Sequence, residues 1–273
     1  MSQISDHTDH GLYYRHWTPE GKVKGVVMLI HGLGEHCQRY DALGEFLNQY
    51  GYALSAIDLP CHGHSEGKRG HIDSFDEFQS AALKLHARIR ESYPDTPLFL
   101  LGHSMGGLIA ARFLLDHQDK FSGALLSGAA IQSPQEPPKW QVAIIKGIAK
   151  LFPKAAMLQL DASAISRDPE VVDKYMADPL VSKDKLSARF LVEMTNTMDT
   201  VKANAAKITL PILIMHGTKD VMTAPEGSQL LFNSVSSPDK HINLYDGLYH
   251  EIFNEPEGQQ IFAEVVTWLN AHG

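Results

Sequence analysis

Short runs of consecutive apolar residues alternate along this chain with stretches in which apolar residues recur every three or four positions. Continuous apolar runs are typical of strands buried on both faces, and the spacing of three and four is typical of amphipathic helices. The predicted strands are 11–17, 26–30, 52–57, 98–101, 123–127, 212–216 and 241–245. The predicted helices include 39–50, 75–89, 108–115 and 256–269. This alternation predicts an α/β fold with a mostly parallel central sheet and helices on both faces.

One stretch interrupts the alternation. From 129 to 208 the pattern contains no strand, only helices and prolines. Because the stretch begins directly after the end of a predicted strand, it is expected on the rim of the carboxyl edge of the sheet. We therefore predict a core formed by 1–128 and 209–273, with a helical lid inserted at 129–208.

Composition narrows the functional classes. The chain has 273 residues, 44% of them hydrophobic, and a formal net charge of −8. The negative charge argues against general nucleic-acid binding, which needs a basic face. The two cysteines, Cys37 and Cys61, indicate neither a disulfide framework nor a zinc site. The polar N-terminus and the absence of any long apolar run predict a cytoplasmic protein.

The stretch 98–107 carries the clearest chemical signal. A buried strand, Leu98 to Leu101, leads into Gly102-His-Ser104-Met-Gly106 and then into a helix. Strand, G-x-S-x-G and helix in immediate succession form a nucleophile elbow. The tight turn strains the serine backbone and lifts its hydroxyl above the sheet, where the first N–H groups of the helix also point. Ser104 is therefore the candidate nucleophile.

A serine hydroxyl needs a histidine to take its proton and an acid to orient that histidine. In elbow folds the chain order is Ser, then Asp or Glu, then His. Asp220 and His250 each follow a predicted strand and satisfy this order. Asp246 is the rival acid, although its Asp-Gly context is also a turn signal.

The oxyanion that forms during acyl transfer needs two fixed hydrogen-bond donors. The backbone N–H of Met105 is one candidate, and that of Leu33, in the glycine-rich loop after the 26–30 strand, is the other. His62 and His64 lack a third ligand at a suitable spacing, so no metal is expected. Neither glycine loop fits G-x-G-x-x-G, and no cofactor is expected.

These motifs resemble those of the monoacylglycerol lipase and lysophospholipase group of the α/β-hydrolases, and the resemblance extends nearly end to end. The segment 31–40, His-Gly-Leu-Gly-Glu-His-Cys-Gln-Arg-Tyr, is similar to the group's H-G-x-G-E-H-x-x-R-Y. The elbow 101–107 and the segment 175–180, Tyr-Met-Ala-Asp-Pro-Leu, also match. One departure is Cys61, which stands where the loop D-x-x-G-x-G-x-S has its first glycine.

The resemblance implies a serine ester hydrolase that cleaves monoacylglycerols, with Glu35 and Arg39 near the pocket for the polyol head-group. A structural salt bridge between Glu35 and Arg39 is the alternative. A lysophospholipase, a broad short-chain esterase, an iminopeptidase and a non-catalytic ligand receptor of the same fold also remain open. Acyl-chain preference cannot be transferred, since the lid is the region that matches least.

The inserted stretch also suggests a lipid contact. Treated as a helix, 139–152 places Lys139, Lys146 and Lys150 on one side, and Ile144, Ile148, Leu151 and Phe152 on the other. A basic amphipathic helix can lie on a lipid surface. The alternative is a lid helix packed on the core, and both can hold. Weak peripheral membrane contact through 139–152 is therefore an expectation.

Overall fold

A computed structural model describes residues 3–135 and 138–273, without the side chain of Lys139. The strands are β1 (Gln3–Asp9), β2 (Leu12–Thr18), β3 (Gly25–Ile30), β4 (Tyr52–Ile57), β5 (Leu98–His103), β6 (Gly123–Ser127), β7 (Ala156–Leu158), β8 (Leu186–Ser187), β9 (Ile212–Gly217) and β10 (Lys240–Tyr245). The helices are α1 (Asp41–Gln49), α2 (Asp76–Ser92), α3 (Met105–His117), α4 (Lys139–Leu151), α5 (Pro169–Ala177), α6 (Ala188–Asn204), α7 (Pro225–Ser234) and α8 (Gly258–His272).

Eight strands form one sheet in the order β1-β2-β4-β3-β5-β6-β9-β10. In this sheet, the six strands β4, β3, β5, β6, β9 and β10 run parallel to one another. At one edge, β2 pairs antiparallel with β4, and β1 pairs antiparallel with β2. Side chains of β3 alternate between two buried clusters, Met28 facing the α2 and α3 side and Leu29 the α1 and α8 side. The predicted α/β architecture with helices on both faces is confirmed.

Two strand predictions were incomplete. β1 was not predicted, and all seven of its residues are exposed, so the edge strand carries no apolar pattern. The stretch 129–208 was expected to contain no strand, yet β7 and β8 pair there in a small antiparallel sheet. These strands have three and two residues, too few to show a periodicity.

The four predicted helices agree with the structure to within three residues at either end. The helix expected over 39–50 is a 3₁₀ turn, Cys37–Tyr40, followed by α1, and the helix expected from Leu108 begins at Met105. The segment between β6 and β9 supplies α4, α5 and α6. β3, β5, β6, β9 and β10 all end at one edge of the sheet, and the loops that follow them form the site.

Candidate active site

Ser104 occupies the turn between β5 and α3 in a strained conformation, with φ of 55° and ψ of −119°. The neighbouring glycines are sterically required. A Cβ atom on Gly106 would lie 2.0 Å from the carbonyl oxygen of Ile30, and one on Gly102 would lie 2.4 Å from the carbonyl oxygen of Gly106. The turn therefore needs glycine on both sides of the serine, and it places Ser104 at the start of α3.

Three loops bring the predicted serine, histidine and acid together. The His250 Nε2 atom lies 2.8 Å from Ser104 Oγ, and His250 Nδ1 lies 2.6 Å from Asp220 Oδ2. Asp220 and His250 are buried, whereas Ser104 is partly exposed to a cavity. The chain of hydrogen bonds can move a proton from the serine hydroxyl to the imidazole, with the carboxylate fixing the ring.

Among the described residues, every hydrogen-bond partner of the Asp220 carboxylate can donate a hydrogen bond to it. Oδ1 accepts the backbone N–H groups of Met222 and Thr223 at 2.7 and 3.0 Å. Oδ2 accepts the Thr223 hydroxyl at 2.8 Å and lies 3.0 Å from His216 Nε2, in addition to its bond with His250. Burial alone would raise the pKa of Asp220, but His250 and His216 outweigh burial and hold it well below its usual range. The group is therefore a carboxylate at neutral pH.

Asp246, the rival acid, is exposed and accepts a hydrogen bond from the Thr218 hydroxyl at 3.2 Å. The described contacts thus place Asp220, and not Asp246, against His250. Burial lowers the pKa of His250, but the carboxylates of Asp220, Glu251 and Glu35 together raise it more, so the net shift is upward. Thr223 and His216, which complete the surroundings of Asp220, carried no functional signal in the sequence.

The two oxyanion candidates line the same cavity as Ser104. Met105 is the first residue of α3, where backbone N–H groups have no partner within the helix. Leu33 follows Gly32, whose Cα is so close to the nucleophile that an added Cβ would lie 3.1 Å from the Ser104 Cβ. Both backbone segments therefore border the space next to the serine hydroxyl.

A buried ionic network fixes the loop that carries Leu33. Glu35 accepts the Gly32 N–H at 2.5 Å and the Tyr40 hydroxyl at 2.8 Å, and Arg39 donates to it at 2.8 Å. Arg39 also donates to both carboxylate oxygens of Glu251, at 2.6 and 2.7 Å. Burial would raise the pKa of Glu35, but Arg39 and two nearby histidines lower it to about 2. Glu251 carried no functional signal in the sequence, although it directly follows His250.

The loop with the unusual cysteine retains the turn. Cys61 adopts a φ of 68°, the left-handed region that a glycine would enter without strain. The turn is closed by neighbours: Ser65 donates to the Asp58 carbonyl at 2.5 Å, and the Asp58 carboxylate accepts the N–H groups of Cys37 and His64, each at 2.8 Å. These bonds hold Cys61 in a conformation that costs a non-glycine residue roughly 1–2 kcal/mol.

Ser104 opens into a cavity of about 440 Å³. Much of its wall is apolar and comes from the segment between β6 and β9, namely Ile145, Met157, Leu158, Leu160, Ile165, Leu186, Leu191, Met194 and Met198. Glu35 and Glu251 form a polar region of the same wall. Within 3–135 and 138–273, no group of three or more metal-ligating side chains is arranged to hold a metal ion.

Comparisons with known proteins agree with this geometry. The family described as "Serine aminopeptidase, S33" matches residues 21–257. The monoacylglycerol lipase of Mycolicibacterium smegmatis is 38% identical over 96% of this chain and 93% of its own length. The monoglyceride lipase of Mus musculus is 34% identical, over 95% of this chain and 86% of its own.

Structural similarity is equally extensive. The crystal structure of the monoacylglycerol lipase from Paleococcus ferrophilus superposes with a TM-score of 0.85 and 37% identity, covering 96% of this chain and 99% of that one. The chain therefore belongs to the serine aminopeptidase S33 family of α/β-hydrolases, within which it is similar to monoacylglycerol lipases over nearly its whole length.

Proposed function

We propose that this protein hydrolyses monoacylglycerols to a fatty acid and glycerol through an acyl-enzyme on Ser104. The observation that carries the proposal is the hydrogen-bonded chain from Ser104 through His250 to Asp220, placed in an apolar cavity with a polar region next to the serine. An apolar wall suits a single acyl chain, and the polar region suits a small hydroxylated leaving group. The monoacylglycerol lipases to which the chain is similar support this substrate class.

The mechanism follows from the geometry. His250 takes the Ser104 proton as the hydroxyl attacks the ester carbonyl, and the Leu33 and Met105 N–H groups bind the developing oxyanion. His250 then gives its proton to the glycerol oxygen as the ester bond breaks. A water molecule, deprotonated by the same imidazole, attacks the acyl-enzyme and releases the fatty acid. Asp220 remains a carboxylate throughout, stabilising the imidazolium.

We propose that 129–208 acts as the lid. The segment leaves the sheet after β6 and returns at β9, and its side chains form most of the apolar wall of the cavity. A cover of this kind excludes water from the acyl-enzyme, and it strengthens the electrostatic interactions below it.

The family description also raises an aminopeptidase as an alternative. An aminopeptidase must bind the free ammonium group of its substrate with a carboxylate near the serine that is not already ion-paired with a cation of the protein. The two carboxylates in this cavity wall, Glu35 and Glu251, are both bonded to Arg39. We therefore favour the ester substrate. Turnover of aminoacyl anilides at rates comparable with those of esters would reverse this preference.

The substrate proposal is tested by the rates of hydrolysis of monoacylglycerols of increasing chain length, measured beside ethyl esters of the same acids and lysophospholipids. We expect the highest kcat/KM for monoacylglycerols. A preference for lysophospholipids would make the enzyme a lysophospholipase, and a preference for short simple esters would make it a general esterase. If none of these esters were hydrolysed, the result would favour the alternative that the protein is a non-catalytic ligand receptor.

We infer that the Glu35, Arg39 and Glu251 network recognises the polyol head-group. Glu35 and Glu251 face the cavity, and Arg39 holds both carboxylates while its guanidinium lies 4.6 Å from the centre of the Tyr175 ring. Carboxylate oxygens that are already fixed in position accept hydroxyl hydrogen bonds without a further loss of conformational entropy.

Glu251→Gln and Arg39→Ala are expected to reduce the preference for monoacylglycerol over the ethyl ester of the same acid. Loss of one polar contact that leaves its partner unpaired should change this ratio of kcat/KM by roughly 1–3 kcal/mol. Arg112→Ala removes an arginine paired with Asp116 on the outer face of α3 and serves as a control. An equal fall on both esters, with a lower melting temperature, would indicate a structural salt bridge instead.

We further propose weak contact with lipid surfaces through α4 and the residue that follows it. Trp140, Ile144, Leu151 and Phe152 expose between 54% and 73% of their surface, and Lys146 and Lys150 are exposed beside them. Ile148, predicted on the same side of the helix as Ile144, is half-buried, and the side chain of Lys139 lies outside the described residues. Among the described helices, none has the length and apolar content needed to cross a membrane.

Ile144→Ser combined with Leu151→Ser is expected to reduce binding to anionic vesicles and activity on dispersed long-chain substrate. The exposed apolar side chains would otherwise enter the acyl boundary, with the lysines near the head-groups. Hydrolysis of a short soluble ester should be unchanged, because the catalytic residues are untouched. Leu83→Ser, at an exposed leucine on α2, is the matched control. Equal losses on both substrates would show that these residues stabilise the lid rather than bind lipid.

A further inference from the structure

Glu255 is a buried carboxylate with no part in the acyl transfer proposed above. It lies between the 3₁₀ turn Ile252–Asn254 and α8, and its side chain has no exposed surface. A buried charge is costly unless donors satisfy it. The identity of those donors therefore indicates what this side chain holds in place.

The donors come from two segments that meet at the catalytic histidine. Glu255 Oε1 accepts the backbone N–H of Tyr249, the residue before His250, at 2.7 Å. Arg167, from the inserted segment, donates its Nε to Oε2 at 3.0 Å, and its backbone N–H lies 3.3 Å from both oxygens. Both carboxylate oxygens are thus used, and one of them accepts the backbone N–H of the residue that precedes His250.

The bond from Tyr249 closes a short loop around His250. Within that loop, the Asn254 backbone N–H donates to the Glu251 carbonyl at 2.8 Å. The inserted segment braces it from outside: the Glu251 N–H donates to the Ile165 carbonyl at 2.7 Å, and the Ser166 hydroxyl donates to the Asn254 carbonyl at 3.0 Å. The loop is therefore fixed from within by Glu255 and from outside by residues 165–167.

The imidazole of His250 must satisfy two bonds at once, to Asp220 at 2.6 Å and to Ser104 at 2.8 Å. Its side chain has two rotatable bonds, so the position of the ring depends directly on the orientation of the backbone at 249–250. We propose that Glu255 is a positioning residue for His250, and that it acts by holding the Tyr249 N–H while Arg167 balances its charge. This inference rests on the proposed role of His250 as the catalytic base.

The test compares three substitutions with the wild type on a short soluble p-nitrophenyl ester, with active sites counted by fluorophosphonate titration. Glu255→Met keeps the buried volume but removes the acceptor, and it should lower kcat per titrated site by about 10–100-fold with KM little changed. Glu255→Gln keeps an acceptor oxygen and should restore most of the rate. Glu257→Gln alters a partly exposed carboxylate that binds the same Arg167, and it should behave as the wild type.

Proton NMR gives a readout that a purely structural role would not change. The proton in the short bond between His250 and Asp220 is expected at low field in the wild type and in Glu255→Gln, and weakened or displaced in Glu255→Met. A folded Glu255→Met with wild-type kcat and an unchanged low-field signal overturns the proposal. If Glu255→Met does not fold, Glu255→Asp tests the proposal instead. The aspartate keeps the negative charge, but its shorter side chain no longer reaches the Tyr249 N–H. Wild-type kcat in a folded Glu255→Asp would likewise overturn it.

The experiment also separates this inference from the substrate proposal. A wild type that hydrolyses the soluble ester but not monoacylglycerols would refute the substrate and leave the test of Glu255 intact. His250→Ala must be inactive on the soluble ester for the inference to stand.

Discussion

Ser104→Ala is expected to lower kcat for ester hydrolysis by about 10⁴-fold or more while the protein remains folded. The hydroxyl at this position lies 2.8 Å from the imidazole that would take its proton, and the substitution removes the nucleophile without disturbing Asp220 or His250. The loss should be the same for a soluble ester and for a monoacylglycerol, because both would form the same acyl-enzyme.

The measurement combines steady-state rates with fluorophosphonate labelling followed by peptide mapping. In the wild type the label should be found on Ser104, and in Ser104→Ala the protein should not be labelled. Ser234→Ala changes a serine on α7 whose hydroxyl bonds to the Leu230 carbonyl, and it should be labelled and active like the wild type. Covalent modification of a different serine in the intact wild type would refute the assignment.

The sequence predicts features whose physical cause is local. The buried strands were identifiable because both of their faces are covered, which requires continuous apolar runs such as Val26 to Ile30. The elbow was identifiable because the steric demand of the turn falls on Gly102 and Gly106, two residues to either side of Ser104. Asp220 and His250 were chosen because each follows a strand that ends at the same edge of the sheet. Their joint contact with Ser104 is the geometry that this placement implies.

Features that leave no pattern of apolar residues in the sequence could not be predicted. β1 pairs with β2 through backbone bonds, and its exposed side chains show no pattern. Arg167 and Glu255 are 88 positions apart, and nothing near either residue indicates the bond between them. Glu251 follows the histidine directly, but its role depends on Arg39, 212 positions away. Long-range polar contacts of this kind leave no periodicity in the sequence.

Asp220→Asn is the second change for which we expect a very large effect, a fall in kcat of about 10⁴-fold. Both carboxylate oxygens of Asp220 are in use: Oδ1 accepts two backbone N–H groups, and Oδ2 is bonded to the Thr223 hydroxyl, His250 and His216. Asparagine has one oxygen and one NH₂ group in place of the two carboxylate oxygens. In either orientation, its NH₂ group therefore faces a group that donates to Asp220 in the wild type. If the NH₂ group faces His250, Nδ1 must accept, the proton moves to Nε2, and the imidazole can no longer take the proton of Ser104.

The pH profile of the residual activity gives a second check on Asp220→Asn. In the wild type the Asp220 carboxylate raises the pKa of His250 against the lowering effect of burial. Removing this charge leaves burial dominant, so the pKa of His250 should fall and the acid limb of kcat/KM should move to lower pH. Asp246→Asn is the matched control, since its carboxylate is exposed and bonds to Thr218, and both its rate and its pH profile should match the wild type. If kcat fell strongly in Asp246→Asn and only slightly in Asp220→Asn, Asp246 would instead be the orienting acid. His250 would then need a different conformation from the one in which its Nδ1 lies against Asp220.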